Sequence, residues 1–182
     1  MKKYNYVRVS VVAVLLIAVF FIVRTSLFEN YVVNGKSMEP TLYDGNLMMV
    51  NTFTSDISNI HRFDVIVFHA SEENDYVKRV VGLPGETIEY KDDQLYVNGE
   101  YISEDFLQEE KENVEANPFT EDFTLLQVTD EKTVPEGELF VLGDNRVDSL
   151  DSRSIGFIPV EEVVGKVDIT YWPIKQLFKQ PR

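Results

Sequence analysis

The sequence predicts a mainly β protein: an antiparallel β-sheet domain with an inserted cap, behind one N-terminal transmembrane helix. Three observations carry this. A long apolar stretch lies close to the N-terminus. Beyond it, short β-prone runs alternate with Asp-Gly, Pro-Gly, Asp-Asp and Asn-Gly turn signals, the pattern of a compact antiparallel fold. An acid-rich segment then interrupts that pattern.

The apolar stretch runs from Tyr6 to Val23, with Val11 to Val23 as its uncharged heart. As a helix it would reach roughly 27 Å, just short of the hydrocarbon thickness of a bilayer. Arg8 and Arg24 stand where their charges can snorkel to the two interfaces. A secretory signal peptide has the same basic-then-apolar layout, but Val23-Arg24-Thr25-Ser26-Leu27-Phe28 offers no small-residue cleavage site. An uncleaved anchor is therefore expected over residues 6–24. Lys2, Lys3 and Arg8 outweigh Arg24 across the span, which places residues 1–5 in the cytoplasm and residues 25–182 outside it.

After the anchor, Tyr31-Val32-Val33 leads into Asn34-Gly35-Lys36-Ser37-Met38-Glu39-Pro40-Thr41-Leu42, and Asp44-Gly45 closes the stretch with a turn. A serine between a flexible glycine and a rigid proline is either a presented hydroxyl or an ordinary turn residue. Strands are expected at 46–50, 64–69, 76–81, 86–91 and 94–97, and later at 123–128, 138–142 and 163–171. Pro84-Gly85 and Asn98-Gly99 are the sharpest turns. Residues from about 92 to 135 read as the inserted cap. Within it Glu104, Asp105, Glu109, Glu110, Glu112 and Glu115 face only Lys111, which reads as a solvated segment or as a patch for a cationic partner. A short helix is expected over 104–114 with Ser103 as its N-cap. The closing Trp172, Phe178 and lysines suit either a membrane interface or packing on the core.

At 182 residues, 44% of them apolar, the chain can build one domain with a sound core. Its net charge of −14 argues against nucleic acid, whose phosphates attract Lys and Arg. With no cysteine there is no disulfide, thiolate metal site or cysteine nucleophile, and His61 and His69 are too few for a metal cluster.

Two further stretches bear chemistry. In Tyr76-Val77-Lys78-Arg79-Val80-Val81, strand alternation sets Lys78 with Tyr76 and Val80, and Arg79 with Val77 and Val81. Lys78 is then a candidate for burial, which would lower its pKa toward the 7 to 8 a general base needs. The other reading is an edge strand with the amine in water. Gly143 to Gly156 follows the apolar run Leu139 to Leu142, so it is a loop at a strand end. Its alternating acids, hydroxyls and arginines suit a self-satisfied network of Arg–carboxylate pairs, as a plain well-bonded turn or as support for a catalytic base.

Three blocks, Gly35-x-Ser37-Met38-x-Pro40-Thr41, Tyr76 to Gly85, and Gly143-Asp144-Asn145-Arg146-x-x-Ser149-x-Asp151-Ser152-Arg153, stand in this order behind the anchor. Together they resemble bacterial type I signal peptidase over nearly all of the chain except the acidic insertion. The resemblance implies Ser37 as nucleophile and Lys78 as general base, so that neither histidine is needed. It implies that Ser149 orients the lysine amine, that Asp144 and Arg146 lie near the site, and that Asp151 and Arg153 form a structural ion pair there. Met38 would shape the substrate-binding surface, and the Ser37 backbone N–H would serve the oxyanion. Some relatives add a hydroxyl two positions before the nucleophile; Gly35 supplies none, which leaves a backbone N–H or water. The implied substrates are secreted precursors with signal peptides, cut after small residues. The bilayer is the implied surrounding, the secretion machinery a further partner, and no cofactor or metal is required. A Ser/Lys peptidase restricted to a few surface proteins and a non-catalytic anchored binder are the alternative readings.

Overall fold

The computed structural model describes residues 8–19, 28–52, 59–113 and 118–172. Residues 8–19 form helix α1, with its valines, leucines and Ile17 exposed. Among the described residues no helix is long and apolar enough to cross a membrane. The expected 6–24 span runs past α1 at both ends, and those extensions lie outside the described residues, as do 173–182.

Strands β1 (Phe28–Val32), β2 (Leu47–Asn51), β3 (Val65–Ser71), β4 (Asn74–Gly82), β9 (Glu138–Leu142), β10 (Ile158–Pro159) and β11 (Val163–Trp172) make one antiparallel sheet of order β1-β2-β11-β3-β4-β9-β10. Strand β4 is interior to it. It pairs with β3 from Val65↔Arg79 to Ser71↔Asn74, and with β9 from Arg79↔Leu142 to Gly82↔Phe140. The apolar run Val65-Ile66-Val67-Phe68 is fully buried, which marks a strand covered on both faces. Val65 and Val67 join Met38, Leu42, Met48, Val50 and Val167 in one cluster, while Ile66 and Phe68 join Val80, Leu139, Val141 and Val163 in another.

A second sheet has β5 (Ile88–Lys91), β6 (Gln94–Val97), β7 (Glu100–Ile102) and β8 (Phe123–Thr124) in the order β7-β6-β5-β8. Its two tight turns are Asp92-Asp93 and Asn98-Gly99, all four residues at positive φ, the backbone that two-residue hairpins require. It packs through Ile88, Tyr90, Leu95 and Phe123 onto Val81, Phe140 and Leu142 of the first sheet. The second sheet thus takes in β5 as well as strands from the 92–135 segment.

Two expectations are corrected. Residues 123–128 are not one strand: after Thr124 the chain turns into helix α3 (Leu125–Thr129). The Thr124 N–H donates to Gln127 Oε1 at 2.8 Å, half of a capping box that outweighs the β propensity of the run. The acidic helix expected over 104–114 is a 3-10 turn at Asp105–Leu107 followed by α2 (Gln108–Asn113), with residue 114 outside the described residues. Its cap position is Glu104 rather than Ser103, whose hydroxyl bonds Asp105 instead.

Gly82 ends β4 at the joint between the sheets. A Cβ there would lie 2.9 Å from Phe140 Cβ and 3.0 Å from both Ile88 Cγ1 and Val134 Cγ2. Gly82→Ala is therefore expected to destabilise the domain by about 1–3 kcal/mol through overpacking, read as a lower thermal midpoint. An unchanged midpoint would mean that the two sheets do not meet so closely.

Candidate active site

Ser37 sits in the turn joining β1 to β2. The turn is tied at its base by Val33 N–H to Asn46 O and Gly45 N–H to Val33 O, both 2.9 Å. Gly35, at φ +91°, takes a backbone shape that side chains rarely adopt, and its N–H donates to Asp44 Oδ1 at 2.8 Å. Beyond it Leu42 N–H closes on Met38 O at 2.9 Å. Met38 and Leu42 are buried in the core, so they fix one side of the turn while Lys36 stays exposed and Ser37 half-buried. The hydroxyl is held at the surface by the packing of its neighbour.

Lys78 lies opposite Ile66 in the β3–β4 pair and is only 4% exposed. Of the two readings left open by sequence, burial holds: β9 pairs with β4 only from Arg79 onward, but the Lys78 amine lies against the Ser37 turn and beside the Tyr76 ring rather than in water. The amine reaches Ser37 Oγ at 2.8 Å and donates to the Val77 carbonyl at 2.9 Å. It stands 5.3 Å from the centre of the Tyr76 ring. Burial pulls its pKa down from the ordinary 10.5 to about 8, against the opposing pull of Asp151 and Asp144. Both carboxylates are engaged elsewhere.

Asp144 is fully buried and grips Arg79 through two bonds, Nε to Oδ1 at 2.7 Å and Nη2 to Oδ2 at 2.6 Å. It also accepts from Thr41 Oγ1 at 2.5 Å. Arg79 itself donates to the Phe63 carbonyl at 2.8 Å and stacks 4.0 Å from the Phe106 ring centre. Asp151 takes Arg153 Nε at 2.9 Å and Nη2 at 2.8 Å, and also the Gly143 N–H at 3.0 Å. Arg146 Nε donates to the Gly143 carbonyl at 3.0 Å, while its fork meets Tyr90 OH at 2.8 Å and Glu104 Oε1 at 2.5 Å. Burial works against the charge of Arg146, but Tyr90 and Glu104 hold the guanidinium above its ordinary range.

The self-contained loop network is thus corrected. Among its acids and arginines only Asp151 and Arg153 pair within the loop; Asp144 pairs across to β4, and Arg146 to the start of the acidic segment. Planar guanidinium forks need carboxylates at a fixed distance; Asp151 offers it to Arg153 two residues on, whereas Asp144 and Arg146 find it in Arg79 and Glu104. The loop also holds the serine directly: Asn145 N–H donates to the Ser37 carbonyl at 3.0 Å, and its Nδ2 to the Lys36 carbonyl at 3.3 Å. Ser149 Oγ is buried, lies against Gly143 and, among the described residues, has no hydrogen-bond partner, Lys78 included. Arg79, Thr41, Tyr90 and Glu104 were not singled out from sequence. Arg79 carried a signal, a charge inside an otherwise apolar strand, whereas nothing distinguished Glu104 from the acids beside it.

His69 Nδ1 meets Asp75 at 2.6 Å and His61 bonds Asp64; neither bonds Ser37 or Lys78. Among the described residues no three metal-ligating side chains converge. A cleft of roughly 320 Å³ opens over the Ser37–Lys78 contact, between the 31–38 segment and Asp75 to Lys78, with Met48, Asp148 and Leu150 completing its wall. Met38 is part of its lining.

A family described as signal peptidase, peptidase S26, matches residues 4–172. Signal peptidase I of Bacillus caldolyticus is 53% identical over 171 residues, covering 94% of this chain and 90% of that protein. Signal peptidase I V of Bacillus subtilis is 44% identical over 92% of this chain and 98% of its own length. A crystal structure of a signal peptidase I from Enterococcus faecalis matches 59% of this chain and 95% of its own, at 51% identity and a TM-score of 0.55. With matches of this breadth, the chain belongs to the signal peptidase family, peptidase S26, and is a hydrolase of the bacterial type I class.

Proposed function

We propose that this chain is a membrane-anchored serine endopeptidase that removes N-terminal signal peptides from secreted precursors, cutting after small residues at A-x-A-like sites. Its chemistry is a Ser37–Lys78 dyad acting through an acyl-enzyme. The observation that carries this reading is the 2.8 Å contact between a half-buried serine and a buried lysine at the floor of a cleft.

Neutral Lys78 takes the Ser37 hydroxyl proton as Oγ attacks the scissile carbonyl. The resulting ammonium gives that proton to the leaving amine as the peptide bond breaks. A water then loses a proton to Lys78 and attacks the ester, which releases the new carboxylate and restores Ser37. With a pKa of about 8, about a tenth of the lysine is neutral at pH 7, against roughly three in ten thousand for an ordinary one. The Ser37 N–H is the assigned oxyanion donor. Ser149, whose buried hydroxyl is uncommitted, is assigned to orient the amine. The pairs Asp144–Arg79 and Asp151–Arg153 hold the loop that carries it, and Arg146 supports the same loop.

The substrate would lie extended in the cleft. Strand β9 pairs with β4 only from Arg79 onward, so the Asp75–Lys78 edge on that side can receive one more strand through its backbone groups. The 6–24 anchor, with the N-terminus cytoplasmic and residues 25–182 extracytoplasmic, keeps Ser37 beside the bilayer where precursors emerge. The cap at about 92–135 is read as a support for this domain rather than a second enzyme.

The direct test compares wild type, Ser37→Ala and Lys78→Ala in detergent on a precursor with an Ala-x-Ala site, with the new N-terminus sequenced. Cleavage after the second alanine by wild type alone is expected, the variants falling by at least about 10⁴-fold. Cleavage that survives both substitutions, or that rising pH restores to Lys78→Met, would remove the assigned roles. Because the lysine must be neutral, kcat/KM is expected to climb about tenfold per pH unit below about 8 and to level off above it. A profile flat from pH 6 to 9 would exclude Lys78 as base.

Gly143 supplies a separate check. A Cβ on it would fall 2.1 Å from Ser149 Oγ and 2.5 Å from the Ser37 carbonyl oxygen. Gly143→Ala is expected to lower kcat by about a hundredfold or more, measured on folded protein. Full activity in that variant would show that the loop and the serine are not so tightly joined.

A further inference from the structure

Glu104 stands apart from the acids around it. Asp105 and Glu112 are exposed, whereas the Glu104 side chain is 1% exposed. Its Oε1 accepts from Arg146 Nη2 at 2.5 Å and from Tyr90 OH at 2.7 Å, and Lys111 Nζ lies 3.5 Å from Oε2. Arg146 spends its remaining Nε on the Gly143 carbonyl at 3.0 Å. From Gly143 the backbone runs at once into the serine: Asn145 N–H holds the Ser37 carbonyl at 3.0 Å. Between these two, Asp144 binds Thr41, four residues past Ser37, and Arg79, next to Lys78.

Stability alone does not call for such a pair, since well-packed apolar groups commonly replace a buried ion pair at no loss. A guanidinium fork adds something different, a fixed geometry between a carboxylate and a carbonyl. We infer that Glu104 is a positioning residue for peptide hydrolysis: through Arg146 it sets the backbone of residues 143–145, and so the placement of Ser37 against Lys78. This rests on the reading of Ser37 and Lys78 as the catalytic pair. It also gives the acidic insertion a function inside the molecule, because its first buried carboxylate reaches the catalytic loop from the neighbouring sheet.

The test uses the full chain in detergent and the same Ala-x-Ala precursor. Glu104→Gln keeps the size and one acceptor while removing the charge that holds the fork. Its kcat is expected to fall about tenfold to a hundredfold, as for a small displacement of reacting groups, with KM within about threefold and the near-ultraviolet dichroism of a folded protein. The exposed Glu112→Gln should keep kcat within about twofold of wild type. The double variant Glu104→Met with Arg146→Met separates geometry from packing. Folded protein with a thermal midpoint at or above that of Glu104→Gln, and a kcat still depressed, supports positioning. A double variant that regains wild-type kcat, or a Glu104→Gln enzyme within about twofold of wild type, overturns it. If Glu104→Gln does not fold, the folded double variant decides by its kcat alone, a depressed value supporting positioning and a wild-type value overturning it. A wild type that leaves the precursor intact removes the functional reading and this inference with it, whereas equal cleavage by wild type and Glu104→Gln removes this inference alone.

Discussion

The structure turns on the burial of one amine. Lys78 is nearly closed to solvent and bonded to Ser37, and a buried ammonium is costly, so its pKa falls toward neutrality. That burial requires an interior strand, a covered face and a nearby hydroxyl at the same time. Strand β4 meets the first demand by lying between β3 and β9. The turn that carries Ser37 meets the last, because Met38 and Leu42 anchor it in the core beneath.

Two carboxylates sit close enough to Lys78 to work against this arrangement. Asp151 and Asp144 favour the ammonium, but burial outweighs both. Each carboxylate is matched to an arginine, Asp144 to Arg79 and Asp151 to Arg153, through paired bonds below 3 Å. The same carboxylates also take loop and turn donors, the Gly143 N–H and the Thr41 hydroxyl, so electrostatic balance and loop placement are not separable here.

The two sheets meet at the same place. Val81, Phe140 and Leu142 of the first sheet pack on Ile88, Tyr90 and Phe123 of the second, and Tyr90 reaches from that contact to Arg146 and Glu104. Burial pushes the Tyr90 phenol well above its usual range, which keeps it a neutral hydroxyl that accepts from Arg146 and donates to Glu104. A polar column of this kind fixes one packing among the several that apolar contact alone would allow.

Much of this was legible in the chain. Strand periodicity and the turn dipeptides determined the antiparallel class, and Asn98-Gly99 and Asp92-Asp93 form the turns read for them, because only a few residue types accept positive φ. The spaced blocks around Ser37, Lys78 and Gly143 marked the site, since motif residues are set by local geometry and side-chain type. What sequence left open was whatever depends on partners distant in the chain. Whether Lys78 met water or protein was decided by the Ser37 turn, which lies 41 residues earlier in the chain. The pairing of Asp144 with Arg79 and of Arg146 with Glu104, and the turn of residues 125–129 into a helix, were likewise decided by the tertiary structure. Charge pairing depends on distance in space, and an alternating run of acids and arginines is compatible with many pairings until the fold selects one.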